Sequence, residues 1–215
     1  MKQVVILISG RGSNLEALIE ARAAGQLPVQ IAAVISNRPD ASGLATAVAA
    51  GIQTQVIDHK SYAGRAEFDA ALAETIDAYA PDLVVLAGFM RILTDDFVRH
   101  YSGRMLNIHP SLLPAFPGLD THKKALAEGV RIHGCTVHFV TPTLDHGPIV
   151  IQAAVPVFEG DDEVTLAERV LREEHRIYPL AVRWFAEGRL RVVGKRVLVE
   201  ADTGLSGSLV SPPVR

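Results

Sequence analysis

Asn107 and His109 stand two residues apart at the end of a short apolar run, ArgMetLeuAsnIleHisPro at 104–110. Side chains at i and i+2 of a strand share a face, so a carboxamide and an imidazole project together. They do so at the strand's C-terminal end, where open α/β sheets bind ligands. Such a pair can donate hydrogen bonds to developing negative charge and can move a proton. Pro110, Pro114 and Pro117 stiffen the loop that follows. A lone histidine is more often an ordinary packed residue; the paired Asn and the proline-rich loop favour a functional reading. Asp145, in ThrProThrLeuAspHisGlyPro at 141–148, brings a carboxylate into a turn. Asp and Gly favour turns in any case, and nothing local in the sequence pairs Asp145 with His109.

Two further features carry chemistry. Gly10-Arg11-Gly12-Ser13-Asn14 follows an apolar strand and opens a helix. Free N–H groups at a helix start, approached closely through glycines, make an anion site, although a plain strand-to-helix turn reads the same way. The segment lacks the Gly-Lys-Ser/Thr of a P-loop. Leu15 stands where a dinucleotide fingerprint needs its third glycine, and Ser36-Asn37 replaces the ribose-binding acid. The expectation is a site for one phosphate monoester, with no acid beside it. Glu174 falls inside the apolar stripe Val170, Leu171, Ile177, Tyr178, Ala181 and Phe185 of a long helix. A carboxylate there is costly without a partner, which implies a ligand or a salt bridge. Cys135 reads as core, and His133, Cys135 and His138 cannot share one strand face, which argues against zinc. No Gly-x-Ser-x-Gly nucleophile elbow occurs.

The elements that position these residues alternate. Strands are expected at about 3–8, 31–36, 52–57, 82–87, 104–108, 134–141 and 149–157. Val4–Ile8 and Leu83–Leu86 are continuously apolar, as in strands buried on both faces. Helices are expected from an N-cap at Ser13 or Asn14 to Gly25, and at about 44–50, 65–79, 95–100, 122–128 and 163–187, with Pro179 breaking or kinking the last. Phe68, Leu72, Ile76 and Tyr79 form the stripe of the third helix. The fold class is α/β: three layers, a mostly parallel twisted sheet of about seven strands with helices on both faces, and a small hairpin at 190–199. One domain is expected over 1–200, followed by a loosely held Gly/Ser/Pro-rich tail at 201–215.

With 48% hydrophobic and 21% charged residues in 215, the chain has ordinary globular composition. A net charge of −3, with no basic block longer than Lys123-Lys124, argues against nucleic acid. The opening apolar run ends at Gly10, too short for a signal peptide or a membrane span. With one cysteine, the expected location is the cytoplasm.

Four stretches are specific together: IleSerGlyArgGlySerAsnLeu (8–15), AlaProAspLeuValValLeuAlaGlyPheMetArgIleLeu (80–93), AsnIleHisProSerLeuLeuPro (107–114) and ValHisPheValThr…LeuAsp…GlyPro (137–148). With GluHis…TyrPro at 174–179, they resemble the glycinamide ribonucleotide transformylases of the folate-dependent formyltransferase superfamily. The likeness runs in order from about residue 3 to 190. It implies formyl transfer from 10-formyltetrahydrofolate to the amine of glycinamide ribonucleotide, in purine biosynthesis. Carried over, Gly12, Ser13 and Asn14 cradle the phosphate and Glu174 contacts the acceptor. Arg65, Met90, Arg91, Ile92, Leu93, Asn107, Thr141, Pro142, Thr143, Leu144 and Asp145 line the folate pocket, and Asn107, His109 and Asp145 are catalytic. Asn107 and a protonated His109 would stabilise the oxyanion, and Asp145 would favour the imidazolium, with no covalent intermediate and no metal. His146, where a glycine would be unremarkable, is a small departure.

The resemblance leaves rivals. Methionyl-tRNA formyltransferase adds a C-terminal RNA-binding domain, for which no segment is expected here. Formyltetrahydrofolate deformylase uses water as acceptor and usually carries an N-terminal regulatory domain. Outside the family stand an NAD-dependent reductase and a non-catalytic nucleotide-binding module. A monomer or a homodimer is expected.

Overall fold

A computed structural model describes residues 1–200; the tail at 201–215, expected to be loosely held, lies outside the described residues. The strands are β1 (Lys2–Ile8), β2 (Val29–Ser36), β3 (Gln53–Val56), β4 (Leu83–Leu86), β5 (Met105–His109), β6 (Ile132–Phe139), β7 (Ile149–Pro156), β8 (Leu190–Val193) and β9 (Arg196–Val199). The helices are α1 (Ser13–Ala23), α2 (Gly43–Ala49), α3 (Arg65–Asp77), α4 (Asp95–His100), α5 (Thr121–Ala127) and α6 (Glu163–Ala186), with a 3-10 turn at His59–Ser61.

All nine strands join one sheet in the order β3-β2-β1-β4-β5-β6-β7-β9-β8. The seven expected strands and the expected 190–199 hairpin are all present, and the hairpin joins the same sheet, with β9 beside β7 through the Ile149–Arg196 pair. Strands β1 to β5 run parallel to one another. β6 runs antiparallel to both β5 and β7. The chain goes outward from β1 to β3 and then returns to β4 on the other side of β1, so β1 and β4 flank the point where strand order reverses. A crevice opens there, because the loops beyond the two strands lead away in opposite directions.

Alternation sorts side chains to two cores. Val4, Ile6, Ile8, Leu106, Ile108, Val137 and Tyr178 belong to one, built under α1, α5 and α6. Val5, Leu7, Val84, Leu86 and Met105 belong to the other, against Phe68, Leu72 and Ile76 of α3 and Phe97 of α4. β1 is buried from Val4 and β4 along its whole length, as continuous apolar runs demand. The helix packed against β5, β6 and β7 is α6, which comes from the Leu106 side. On the Asn107 side, beyond Met105 and its α3–α4 core, β5 and β6 are met by the loop that carries Asp145.

Two helix details depart from expectation. The N-cap of α1 is Gly12, left-handed at φ 75, with no side-chain cap bond, so neither Ser13 nor Asn14 caps. Only that twist lets the chain turn from β1 into the helix with its first N–H groups facing outward, a conformation that favours glycine. Pro179 does not interrupt α6, which runs from Glu163 to Ala186. Packing overrides the missing hydrogen bond: Ile177, Tyr178, Ala181 and Val182 are all buried around it. The Tyr178 hydroxyl also bridges the carbonyls of Leu86 and Leu106, at 2.9 and 3.0 Å, and pins the helix across β4 and β5.

Candidate active site

Asn107 and His109 share a face of β5, as their spacing requires, and Met105 two residues back belongs to the core of that same face. Asp145 arrives by a longer route. Phe139 at the end of β6 pairs with Leu106, so the β6–β7 loop leaves the sheet three residues below His109. It folds back along the strands and places Asp145 Oδ2 3.6 Å from His109 Nδ1, with the two side chains 8% and 7% exposed. Two backbone features make the return possible. Asp145 adopts φ 51, and Gly147 lies so close to the Phe139 carbonyl that a Cβ would stand 1.7 Å from its oxygen.

The loop after β5 ties the pair together. His109 Nε2 lies 3.0 Å from the Phe116 carbonyl oxygen. A carbonyl only accepts, so Nε2 carries hydrogen and Nδ1, on the Asp145 side, is the nitrogen left to meet a reacting group. The Gly118 N–H donates to Asp145 Oδ2 at 2.8 Å. Thr136 holds the same loop from below, donating to Ser111 O at 2.7 Å and accepting from Leu113 N at 3.1 Å.

Beside this set, the first turn of α1 lines a cavity of about 410 Å³ with Arg11, Arg38, Arg91 and His59, and no acidic side chain lines it. The uncapped N–H groups of residues 13–15 and this basic wall suit an anion. The expectation that no acid stands near needs correcting. Glu16 is in the first turn, and Asn14 Nδ2 donates to Glu174 Oε2 at 2.8 Å. That contact is the only one recorded for the Glu174 carboxylate, which is 7% exposed and meets no cation among the described residues. Of the two partners that sequence implied for it, a salt bridge is thus excluded there. Burial raises its pKa, against the opposing hydrogen bond from Asn14. Glu174 also borders a second cavity of about 520 Å³, with Pro110, His122, Glu163 and Leu171. The oxygen Oδ1 of Asn14 is buried without a partner.

The segment 88–93 forms the other wall. Ser9 Oγ donates to Asn37 Oδ1 at 2.6 Å and accepts from Met90 N at 2.7 Å, which fixes the turn after β4. Met90, Ile92 and Leu144 are large apolar side chains left 69%, 56% and 55% exposed. Arg91 lies over the Phe68 ring, and its Nε is buried without a partner. Leu93 packs into the second core. Thr141, Pro142 and Thr143 lie along the returning loop, Pro142 and Thr143 exposed. Arg65 is exposed at the start of α3, with no recorded hydrogen bond or ion pair to the others.

Residue types alone missed His138, Phe116 and Gly118. His138 is level with Asn107 across β5 and β6, a fact that becomes visible only with the strand register. Cys135 is core, its thiol pushed up to about 12 by burial. Among the described residues no three His, Cys, Asp or Glu side chains gather to hold a metal, and no helix is long and apolar enough to cross a membrane.

Comparison with known proteins places the chain in a family. The formyl transferase family matches residues 2–182. Phosphoribosylglycinamide formyltransferase of Escherichia coli K12 is 53% identical over 189 residues, 88% of this chain and 89% of that protein. The human trifunctional purine biosynthetic protein adenosine-3 is 50% identical over 190 residues, and this chain spans 19% of its length. The crystal structure of glycinamide ribonucleotide transformylase 1 from Symbiobacterium toebii superposes with a TM-score of 0.91 at 52% identity, over 93% of this chain and 94% of that one. The chain belongs to the formyl transferase family, alongside the phosphoribosylglycinamide formyltransferases.

Proposed function

We propose that this chain transfers the formyl group of 10-formyltetrahydrofolate to the amine of glycinamide ribonucleotide, in the cytoplasm, as a step of purine biosynthesis. The observation that carries the reading is that Asn107 and His109 share one face of β5 while Asp145 comes within 3.6 Å of His109 from the β6–β7 loop. Residues 12–14 take the acceptor's phosphate on free N–H groups, and Glu174, held by Asn14, contacts the acceptor. Met90, Ile92 and Leu144 offer exposed apolar surface to a flat ring system, and the unpartnered Nε of Arg91 offers a donor beside it. With Arg65, Leu93, Asn107 and the 141–145 segment, these form the folate side.

The chemistry follows from the donors. As the amine attacks the formyl carbon, negative charge gathers on the formyl oxygen. Asn107 Nδ2 and the imidazolium of His109 donate to it, each such donor being worth about 10²–10³ in rate. Asp145 stabilises the imidazolium, and Nδ1 of His109, directly or through one water, delivers a proton to the departing folate nitrogen. The proton lost by the attacking amine returns to Nδ1 through water and restores the imidazolium. The Phe116 carbonyl keeps the ring from turning away.

The test is formyl transfer by the purified protein with and without the amine acceptor. Formylated acceptor, with little deformylation in its absence, supports the proposal. Equal loss of formyl group without acceptor would make water the acceptor, and binding without turnover would leave a nucleotide-binding module.

A further inference from the structure

His138 has no role in the scheme above, yet it stands beside Asn107. It is 2% exposed. Its Nδ1 lies 2.9 Å from the Phe139 carbonyl oxygen, which can only accept, so Nδ1 carries the ring's proton. Burial lowers the ring's pKa, against raising contributions from that backbone bond and from Asp145, and favours the neutral form. Nε2 is then a bare acceptor. The atom that faces it, at 3.3 Å, is the side-chain nitrogen of Asn107. Asp145 Oδ1 lies 4.0 Å from the same Nε2, too far for a hydrogen bond. Asn107 is therefore the one side-chain donor recorded for that nitrogen among the described residues.

A carboxamide has two ends of nearly equal shape and can turn over at small steric cost. Only one orientation suits this site. We infer that His138 is a positioning residue that locks the Asn107 carboxamide, one N–H held by His138 Nε2 and the other left free for the oxyanion. The reversed amide would set its oxygen against the Nε2 lone pair and present an acceptor to developing negative charge. The tautomer of a buried ring, fixed by a backbone carbonyl, thus decides whether Asn107 helps or hinders the reaction.

The inference rests on Asn107 acting as oxyanion donor, and a double-mutant cycle separates the two claims. Asn107→Ala, His138→Leu and the double variant are compared for kcat, both KM values and melting temperature. His138→Leu should lower kcat about 10- to 100-fold with KM values little changed, the cost of a misdirected catalytic group. In the Asn107→Ala background it should add less than about twofold, because the two side chains act as a unit. A His138→Leu loss that adds in full to Asn107→Ala overturns the inference and leaves the role of Asn107 standing. An Asn107→Ala enzyme with normal kcat sinks that role itself. If His138→Leu does not fold, His138→Gln decides the matter. Its amide oxygen can accept from Asn107, so kcat within about threefold of wild type is expected, whereas a kcat as low as that of Asn107→Ala with a wild-type melt refutes the lock.

Discussion

Asp145→Asn is the sharpest perturbation of the proposed mechanism. The replacement is isosteric, and its amide oxygen can still accept the Gly118 N–H that Asp145 Oδ2 accepts at 2.8 Å, so the loop keeps its position. What disappears is a full negative charge 3.6 Å from His109 Nδ1, between side chains less than one-tenth exposed. At that separation and an effective dielectric near 20, the attraction for an imidazolium is about 4–5 kcal/mol. The amide dipole recovers part of it, leaving about 3 kcal/mol in the barrier, or about 100-fold in kcat. Steady-state formyl transfer with both substrates saturating reads kcat, and separate titrations read each KM. The expected pattern is a kcat loss of that order with KM values and melting curve close to wild type. A kcat within about threefold of wild type with a raised KM would refute the reasoning, because the carboxylate would then bind substrate instead of supporting the ring's charge.

Three further outcomes are expected. Ser13→Asp puts a carboxylate among the free N–H groups of α1, where it takes the anion's place; acceptor KM should rise more than about tenfold with folate KM unchanged, and unaltered acceptor affinity rules the phosphate site out. Glu174→Gln keeps an oxygen for Asn14 Nδ2 and removes a charge that burial disfavours. Because the raised carboxyl pKa makes the wild type lose stability as pH climbs through the window above the ordinary carboxyl value, the variant should melt no lower than wild type at neutral pH, yet bind acceptor more weakly; a large fall in melting temperature with normal acceptor KM makes Glu174 structural. His133, buried with both ring nitrogens unpartnered, is pushed down from its ordinary 6.5 to about 4, chiefly by burial. The unfolded chain takes up a proton that the folded one refuses, so stability should fall as pH drops through that window, by about 3 kcal/mol; His133→Leu should escape this loss, and denaturation midpoints that track wild type at every pH would contradict it.

Much of this molecule is written locally. Val4–Ile8 announces a buried strand because both of its faces meet helices, and the Phe68, Leu72, Ile76 stripe announces a helix with one face on the sheet. The Asn107–His109 pair is legible for the same reason, since a period of two is a property of any strand. Even the place of residues 12–14 at a helix start is legible from the glycines alone, though the choice of Gly12 over Ser13 as cap depends on the backbone twist at that turn. What no local pattern contains is register between distant segments. β6 runs antiparallel to β5, so the loop carrying Asp145 must fold back past Leu106 to reach His109. The same register sets His138 level with Asn107, a neighbour that residue spacing does not reveal. Glu174 was visible as a carboxylate in an apolar stripe, but its partner lies 160 residues away on α1. Pro179 reads as a break or a kink, and packing around Ile177, Tyr178 and Ala181 rules out the break. Dihedral preference and periodicity act over a few residues, whereas strand pairing and burial join groups far apart in the chain, and only the folded sheet brings them together.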